Sequence, residues 1–313
     1  MGIYFAYRFY SGGMSRLLKR FVLLLCLCVP VSALAQRAED SVRFCSAENW
    51  KTFVEQDGVR IRSYRTGRDA GAFLFDAPQA IYVMEVDTAR CRLGLVQQAR
   101  RRTVRRLVHA QRALAGVNGG FFVVHPEPKR AAVANDFLKI DGRIVSPVPT
   151  PGWGNGAVGI ARGVALGFTQ WNKTLEADTV RGWSAAFPDV MAAGPMLLLR
   201  GGSLHPWTEV DKQSLTDAQR RSIYAPRTAI GVRADGTIVL LVVDGRRARA
   251  FGASMAELSL MGRWLGLTDM LNLDGGGSST MVWGRTLINF PSDGFGIVRL
   301  ERPVANAVVV LPR

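Results

Sequence analysis

Short runs of apolar residues, separated by residues that favour tight turns, recur along most of the chain. The run Ala80–Val86 predicts a β-strand, because nearly all of its residues are apolar and several are β-branched. Residues 228–232 and 237–243 flank Asp235-Gly236, a dipeptide typical of hairpin turns, and therefore predict a β-hairpin. Other short segments also predict strands: residues 137–140, 157–160, 196–199, 270–273 and 304–311.

Two segments have the apolar spacing that is typical of an amphipathic helix, residues 103–114 and residues 255–265. Thr103 is a suitable N-cap for the first helix. Strands outnumber these helices, and many of the strands are joined by tight turns. The pattern therefore predicts an α+β fold, with a largely antiparallel or mixed β-sheet core and a few packed helices in a single domain.

The composition supports a globular protein of ordinary class. The chain has 313 residues, of which 48% are hydrophobic, and this excludes an intrinsically disordered protein. Its 33 Gly and 4 Cys, without a short repeat, exclude collagen-like, coiled-coil and disulfide-dense proteins. The length would fit one large domain or two ordinary ones, but no low-complexity linker divides residues 36–313.

The formal net charge of +15 indicates a protein that is drawn to anions, such as nucleic acid, phospholipid or phosphate-bearing polymers. The alternative is that the many Arg residues reflect genomic base composition. The densest basic patch, residues 101–112, is either a solvated helix face or an anion-docking surface. No basic strand is interleaved with aromatic residues, and this argues against binding of single-stranded nucleic acid.

The N-terminus has the layout of a secretory signal peptide. Basic residues at positions 16–20 precede an apolar run at 21–31, and Ala33-Leu34-Ala35 fits a cleavage site. A run of roughly 11 residues is too short to be a permanent membrane span, which needs about 20. We therefore predict a signal peptide at 1–35, an N-terminal segment at 36–80 packed on the domain, and the domain itself at 81–313. The protein would be periplasmic or secreted, with Met1 or Met14 as its start.

Cys45 and Cys91 remain after the signal peptide, and an even pair in an oxidising compartment predicts a disulfide. Free buried thiols are the alternative. The three His residues are scattered, so the sequence predicts no dedicated zinc site.

Four glycine-containing motifs combine tight turns with polar residues. The first three are residues 116–122 with Asn118, residues 193–198 with Gly194, and residues 226–231 with Arg227. An Arg at the start of a hairpin can bind phosphate or carboxylate through paired hydrogen bonds. The far strand of that hairpin ends in Asp244, which places a carboxylate near Arg227.

The fourth motif, residues 272–280, is the most specific, because a carboxylate is followed by three Gly and three hydroxyl residues. Successive free backbone N–H groups in such a loop would form an anion-binding nest beside Asp274. The motif lacks the Gly-Lys-Ser/Thr of a phosphate-binding P-loop and the GxSxG of serine hydrolases.

In this order, the motifs resemble those of the phosphodiester glycosidase family. The resemblance covers roughly residues 81–311 and is densest in the last third of the chain. Its matching stretches are VNGGFF (117–122), AGPMLL (193–198), PRTAIGV (226–232), VVDGR (242–246), GxSMxEL (252–258), NLDGGGSSTMV (272–282) and PVANAVVV (303–310).

The resemblance implies hydrolysis of a sugar-1-phosphodiester to a sugar and a phosphomonoester. Arg227 and residues 275–278 would then bind the phosphate, while Asp274 and Asp244 would act at the sugar carbon or activate water, with Glu257 as a third candidate carboxylate. Asn118 would orient the substrate and Phe122 would stack on the sugar. The remaining predicted substrate-binding residues are Gly119, Gly120, Gly194, Asn272, Gly275, Gly276, Gly277, Ser278 and Thr280.

No cofactor is required by this chemistry, although Asp244 and Asp274 are also suitable ligands for a divalent cation beside a phosphate. The alternative function is a non-catalytic envelope protein that binds an anionic polysaccharide in the same cleft. The signal peptide argues against nucleic acid as the partner.

Overall fold

The computed structural model of the protein describes residues 38–66, 73–147, 155–161, 165–171, 182–205, 215–293 and 298–313. The chain divides into two compact units, residues 1–43 and residues 44–313. In the first unit, the described residues 38–43 are helical. The signal peptide predicted for residues 1–35 lies outside the described residues. All elements named below belong to the second unit.

The described part of the second unit is dominated by β-strands: β1 (Trp50–Gln56), β2 (Val59–Arg65), β3 (Ala80–Val86), β4 (Cys91–Arg102), β5 (Ala115–Asn118), β6 (Leu138–Ile140), β7 (Arg143–Ser146), β8 (Gly156–Ile160), β9 (Leu166–Gln170), β10 (Asp189–Ala193), β11 (Met196–Leu199), β12 (Gly202–Ser203), β13 (Arg227–Arg233), β14 (Ile238–Val243), β15 (Leu267–Asn272), β16 (Met281–Trp283), β17 (Thr286–Leu287) and β18 (Val304–Pro312). Its helices include α1 (Val104–Ala110), α2 (Asp217–Ile223) and α3 (Met255–Trp264), with 3-10 turns at Ala47–Asn49 and Gly276–Ser278.

The strands form three antiparallel sheets. The largest has the order β1-β2-β3-β14-β13-β15-β11-β12. A second sheet has the order β7-β6-β10-β8-β9, and a third has the order β17-β16-β5-β18-β4. This arrangement confirms the predicted α+β class, and the predicted hairpin is the pair β13 and β14.

One hydrophobic core is shared by the inward faces of all three sheets, with side chains such as Tyr82 of β3, Val117 of β5 and Met191 of β10. A second cluster lies on the other face of the eight-stranded sheet, where α3 packs on β11 and β15. Strands β3 and β14 therefore bury residues on both faces, which explains why their sequences are continuous apolar runs instead of alternating ones.

Helix α1 begins at Val104 with Thr103 in the N-cap position, although the Thr103 side chain accepts no capping hydrogen bond. It ends at Ala110, four residues before the predicted end, because the chain leaves the right-handed region at Arg112, where φ is +51°. Helix α3 follows its predicted span closely.

The predicted disulfide between Cys45 and Cys91 is wrong, since both thiols are free. The thiol of Cys45 donates to the carbonyl oxygen of Trp264 at 3.7 Å, whereas that of Cys91 donates to the carbonyl oxygen of Asp57 at 3.0 Å. The pairing was predicted from the even number of cysteines and an expected oxidising compartment, and neither places the two thiols close together. None of the described helices is long and apolar enough to cross a membrane.

Candidate active site

Two neighbouring strands of the eight-stranded sheet bring the predicted motifs together. Strand β13 begins at Arg227, and β15 ends at Asn272. The strands are antiparallel with Ala229 paired to Asn272, so the start of β13 lies beside the glycine loop that follows β15. The amide of Gly276 in that loop donates to the carbonyl oxygen of Pro226 at 2.8 Å and fixes the loop against β13.

Asn118, at the end of β5, ties the third sheet to the same loop. Its side chain is fully buried, and its Nδ2 donates to the carbonyl oxygen of Asp274 at 2.7 Å. Its Oδ1 accepts from Thr228 Oγ1 at 2.8 Å and from the amide of Thr280 at 3.1 Å. The amide of Asp274 in turn donates to the carbonyl oxygen of Gly119 at 3.1 Å. Asn118 and Gly119 therefore position the backbone of Asp274.

A cavity of about 660 Å³, called the loop cavity below, opens at Asp274. Its wall is formed by residues from the start of β13, the end of β15, the glycine loop and the turn before β11. The predicted site residues that line it are Asp274, Arg227, Gly194, Asn272, Gly275, Gly276 and Gly277. The cavity is also lined by residues that were not predicted, among them Phe121, Arg246 and Arg302.

Three arginines, Arg227, Arg246 and Arg302, give the loop cavity its charge. Arg227 is held by two backbone carbonyl groups, to which its Nε and Nη2 donate, those of Ala253 and Ile223, each at 2.8 Å. Burial, together with the nearby charge of Arg246, lowers the pKa of Arg227 to about 10, so the guanidinium remains protonated at neutral pH. The site therefore concentrates positive charge where a phosphate could bind.

Arg302 links this charge to the catalytic carboxylate candidate. Its Nε donates to Asp293 Oδ1 at 2.6 Å, and its Nη1 lies 3.5 Å from Ser278 Oγ. Ser278 is fully buried and its side chain hydrogen-bonds the carboxylate of Asp274. Ser278 therefore connects Arg302 to Asp274 and does not line the cavity itself.

The glycines of the loop allow two of the arginines to approach closely. A Cβ added at Gly276 would lie 3.1 Å from Nη2 of Arg246, and one added at Gly277 would lie 2.5 Å from Nη2 of Arg302. Gly276 also has a φ of +60°, in the left-handed region that favours glycine. A larger residue at Gly277 would therefore force the Arg302 side chain to shift, and one at Gly276 would crowd the Arg246 guanidinium.

The predicted nest of free N–H groups is not what the loop presents. The amide of Gly276 donates to Pro226, that of Ser278 donates to Gly275 and that of Ser279 donates to Gly276. These donors are used to hold the loop in its 3-10 turn. The hydrogen-bond donors that could bind an anion in the loop cavity are therefore mainly arginine side chains.

Asp274 is the carboxylate among the described residues that line the loop cavity. Burial raises the pKa of Asp274 to about 6, opposed by the hydrogen bond from Ser278, by the charge of Arg302 and by the amide of Gly275. A carboxylate with this pKa is mainly ionised at neutral pH and is a stronger base than an exposed one. It is suited to accepting a proton or attacking an electrophilic carbon.

Asn272 contributes a second polar group to the cavity wall. Its Nδ2 donates to the carbonyl oxygens of Gly194 at 2.7 Å and Leu273 at 2.8 Å. Its Oδ1 is buried and accepts no hydrogen bond from the described residues. A buried acceptor without a donor is costly, so this oxygen is an unsatisfied polar atom in the wall of the cavity.

Asp244 is placed away from the loop cavity. It is 1% exposed and accepts hydrogen bonds from Asn289 Nδ2 at 2.9 Å, from the amide of Phe290 at 3.1 Å and from the hydroxyl of Tyr82 at 3.3 Å. Arg247 Nη1 lies 3.4 Å from its Oδ2. Burial raises the pKa of Asp244 to about 6 despite these partners. The structure therefore gives Asp244 the surroundings of an anchoring residue.

We expect Asp244→Ala to lower the free energy of unfolding by about 3 to 5 kcal/mol, because it leaves several buried donors and Arg247 without their acceptor. Asp244→Asn should cost clearly less, since an amide oxygen still accepts from Asn289 and Phe290. Urea unfolding of the two variants measures the difference. Equal stability of Asp244→Ala and the unmodified protein would contradict the anchoring role.

Three other predicted residues, Glu257, Phe122 and Gly120, do not line the loop cavity. Glu257 forms a capping box at the start of α3, where its Oε2 accepts from the amide of Ser254 at 2.8 Å. Phe122 is 7% exposed and packs in a hydrophobic cluster next to α1, and Phe121 lines the loop cavity instead. The amide of Gly120 donates to Asn306 Oδ1 at 2.8 Å.

No group of three or more His, Cys, Asp or Glu side chains that could hold a metal ion is found within the described ranges. The hydrogen-bond partners of Asp274 include Ser278, whereas those of Asp244 include Tyr82, Asn289 and Phe290. Thr280 is fully buried, and its backbone amide serves Asn118.

A family model for phosphodiester glycosidase matches residues 111–311, which is about two thirds of the chain. The chain belongs to the phosphodiester glycosidase family. The matched range contains the whole loop cavity, from Phe121 to Arg302. The resemblance of the motifs is thus confirmed.

Three curated relatives of this phosphodiester glycosidase family member share the name N-acetylglucosamine-1-phosphodiester alpha-N-acetylglucosaminidase. The Homo sapiens protein is 28% identical over 222 residues, which are 67% of this chain and 40% of that protein. The Bos taurus protein is 27% identical over 261 residues, 79% of this chain and 46% of that protein. The chain therefore spans less than half the length of these relatives.

A solved structure supports the fold. The catalytic domain of the zebrafish N-acetylglucosamine-1-phosphodiester alpha-N-acetylglucosaminidase, described as auto-inhibited by its pro-peptide, aligns with a TM-score of 0.62 at 19% identity. The alignment covers 85% of this chain and 89% of that one. A hypothetical protein from Synechocystis aligns with a TM-score of 0.61 at 16% identity, covering 84% of this chain and 64% of the other.

The sequence motifs did not predict that Arg246 and Arg302 would line the loop cavity. Arg246 directly follows the Asp244-Gly245 pair, and its φ of +62° turns the chain at the cavity. Arg302 lies just before β18 and directly precedes the last matching stretch, residues 303–310, which it does not belong to. In a chain with 40 Lys plus Arg, neither position stands out by composition. Their position at the loop cavity is evident only in the folded structure.

Proposed function

We propose that the protein hydrolyses the bond between the anomeric carbon of a sugar and the phosphate of a sugar-1-phosphodiester. The observation that carries the proposal is one cavity in which Asp274 lies among Arg227, Arg246 and Arg302. Three cations are suited to hold a phosphodiester, and the carboxylate is left to act at the carbon. The family membership supports the same reaction.

In the proposed reaction, water supplies an oxygen to the anomeric carbon and the bond from that carbon to the phosphate oxygen breaks. The electron pair of the broken bond leaves with the phosphate, so a phosphomonoester and a free sugar are formed. The three arginines stabilise the charge on the departing phosphate, which therefore needs little help from a general acid. Asp274 stabilises the positive charge at the carbon and takes the proton of the water, either directly or after attacking the carbon.

We propose N-acetylglucosamine as a first sugar to test, because the curated relatives are named for it. Phe121 would stack on the sugar ring, and the Oδ1 of Asn272 would accept from a sugar hydroxyl. The signal-peptide pattern at residues 1–35 supports export, so the substrate would be a phosphate-linked glycan or glycolipid of the periplasm or the outside.

The experiment that tests the proposal is the release of N-acetylglucosamine from its 1-phosphate methyl diester by the purified protein. We expect release from this diester and none from p-nitrophenyl N-acetylglucosaminide, whose leaving group has no phosphate for the arginines. The non-catalytic alternative predicts binding of the diester without release. Absence of release from every sugar-1-phosphodiester tested would overturn the proposed function.

The pH dependence of the proposed activity should follow Asp274. Its pKa is raised to about 6, and the reaction requires the ionised form, so kcat/KM should be flat above pH 7. Below pH 6 it should fall by about tenfold per pH unit as the carboxylate is protonated. Initial rates at low substrate concentration between pH 4 and pH 8 measure this. A rate that rises as the pH falls from 7 to 5 would contradict an ionised Asp274.

A further inference from the structure

A second cavity of about 1150 Å³, called the arginine–aromatic cavity here, lies outside the proposed reaction. It is bounded by strands β1, β2, β3 and β17 and by the segment after β14. Its lining includes four arginines and four aromatic residues: Arg65, Arg247, Arg249, Arg299, Phe53, Phe73, Tyr82 and Phe290. None of the residues that line the loop cavity is among them.

Its charge is strongly one-sided. Among the described residues that line it, there is no carboxylate. The buried Asp244 accepts hydrogen bonds from the lining residues Tyr82, Asn289 and Phe290. The carboxylate of Asp244 lies 3.4 Å from Arg247 and offsets part of its positive charge. The cavity is also lined by the positive charges of Arg65, Arg249 and Arg299. Such a cavity favours an anion.

Two of these arginines lie close to aromatic rings of the cavity. The guanidinium of Arg247 lies 3.8 Å from the ring centroid of Phe290, and that of Arg65 lies 5.5 Å from the ring centroid of Tyr82. Nη2 of Arg65 donates to the hydroxyl of Tyr82 at 2.8 Å. The other N–H groups of a guanidinium in such a position can bind phosphate or carboxylate. The cavity therefore offers guanidinium N–H groups to an oxyanion.

Two further rings are unusually exposed at the same cavity. Phe53 is 45% exposed and Phe73 is 43% exposed, although both are large apolar side chains. Rings that are open to solvent beside arginines suit a ligand with both an apolar face and negative charge. A sugar ring with an attached phosphate or carboxylate has this combination.

The two cavities share one wall. Arg246 lines the loop cavity and the next residue, Arg247, lines the arginine–aromatic cavity. On the other side of this wall, Asn289 Nδ2 donates both to the carbonyl oxygen of Ser279 at 3.0 Å and to Asp244. Two consecutive residues of the chain therefore supply one arginine to each cavity.

We propose that the arginine–aromatic cavity is a subsite for a second anionic sugar unit, so that the substrate is a polyanionic glycan with a charge on each repeat. This inference rests on the proposed function for the identity of the glycan. One unit of the chain lies in the loop cavity with its phosphodiester at Asp274. The neighbouring unit lies in the arginine–aromatic cavity, with its charge on the arginines and its ring on Phe53 or Phe73.

The test compares two probes, N-acetylglucosamine 1-phosphate methyl diester and a three-unit oligomer of the same sugar joined by 1-phosphodiesters. Their dissociation constants are measured by calorimetry in the Asp274→Asn background, so that neither probe is consumed. The variant Arg249→Ala/Phe53→Ala removes one charge and one exposed ring of the subsite. The matched control, Arg92→Ala/Ile144→Ala, removes an exposed arginine of β4 and an exposed apolar residue of β7 that line neither cavity.

We expect the background protein to bind the oligomer at least about tenfold more tightly than the single unit. The subsite variant should reduce this ratio by about tenfold, and the matched control should leave it unchanged. An equal affinity for the two probes, or a ratio that the subsite variant does not reduce, would overturn the subsite. Failure of the unmodified protein to release sugar from either probe would instead reject the proposed function.

Discussion

Asp274→Asn is expected to lower kcat for sugar release by about 10³-fold, the largest effect of any single substitution in this protein. The amide keeps the shape of the carboxylate but can neither accept the proton of water nor stabilise a positive carbon. Asp274 lines the loop cavity, and its backbone is held by Asn118 and Gly119, so the substitution should leave the loop in place. Steady-state release of N-acetylglucosamine from its 1-phosphate methyl diester is the measurement.

The same variant should not be less stable. Because burial raises the folded-state pKa of Asp274 to about 6, the stability linked to this group is greatest below about pH 4. It is lost as the pH rises through 6, where the buried carboxylate ionises. A neutral amide avoids this loss, so at pH 7 the Tm of Asp274→Asn should equal or exceed that of the unmodified protein. A lower activity accompanied by a lower Tm would point to misfolding.

Asp136→Asn is the matched control for this variant. Asp136 is 6% exposed, and burial also raises its pKa to about 6, but it does not line the loop cavity. Its replacement should therefore leave kcat within about twofold. Retained turnover in Asp274→Asn, or an equal loss in Asp136→Asn, would remove the basis for assigning the chemistry to Asp274.

Arg246→Ala is expected to lower kcat/KM by about 10- to 100-fold, the effect of losing one charged hydrogen bond to a phosphate. The guanidinium of Arg246 lies over Gly276 of the loop, and its residue is exposed, so its removal should cost little stability. A substitution of Arg227 would mix effects on activity and on stability, because its guanidinium also donates to the carbonyl oxygens of Ile223 and Ala253.

Arg200→Ala controls for the backbone. Arg200 is also exposed and also has a positive φ, +50° against +62° for Arg246, but it does not line the loop cavity. Any cost of alanine in the left-handed region is therefore common to both variants. If the two variants lose kcat/KM to the same extent, the phosphate is not held by Arg246.

Much of the fold could be predicted from local pattern. Strands such as β3 and β14 are buried on both faces, so their continuous apolar runs are distinct in the sequence. The hairpin of β13 and β14 has an Asp-Gly turn that specifies it. The division into three sheets could not be predicted, because the pairing of β5 with β16 and β18 joins residues far apart in sequence.

The site could be predicted only in part, for a similar reason. The glycine loop and Arg227 carry local signals and line one cavity. Asn118 and Glu257 have the same residue types as catalytic groups, but tertiary contacts use them to hold Asp274 and to cap α3. A sequence motif indicates which chemistry a residue type can perform. It does not show whether the polar atoms of that residue are already hydrogen-bonded within the folded protein.

The central claim, that the bond to the anomeric carbon is the one that breaks, is tested most directly by hydrolysis of N-acetylglucosamine 1-phosphate methyl diester in water labelled with ¹⁸O. Attack at carbon leaves all original oxygens on the phosphate. We therefore predict that mass spectrometry finds methyl phosphate without ¹⁸O. Methyl phosphate or N-acetylglucosamine 1-phosphate that contains one ¹⁸O would mean that water attacks phosphorus, and would contradict the account.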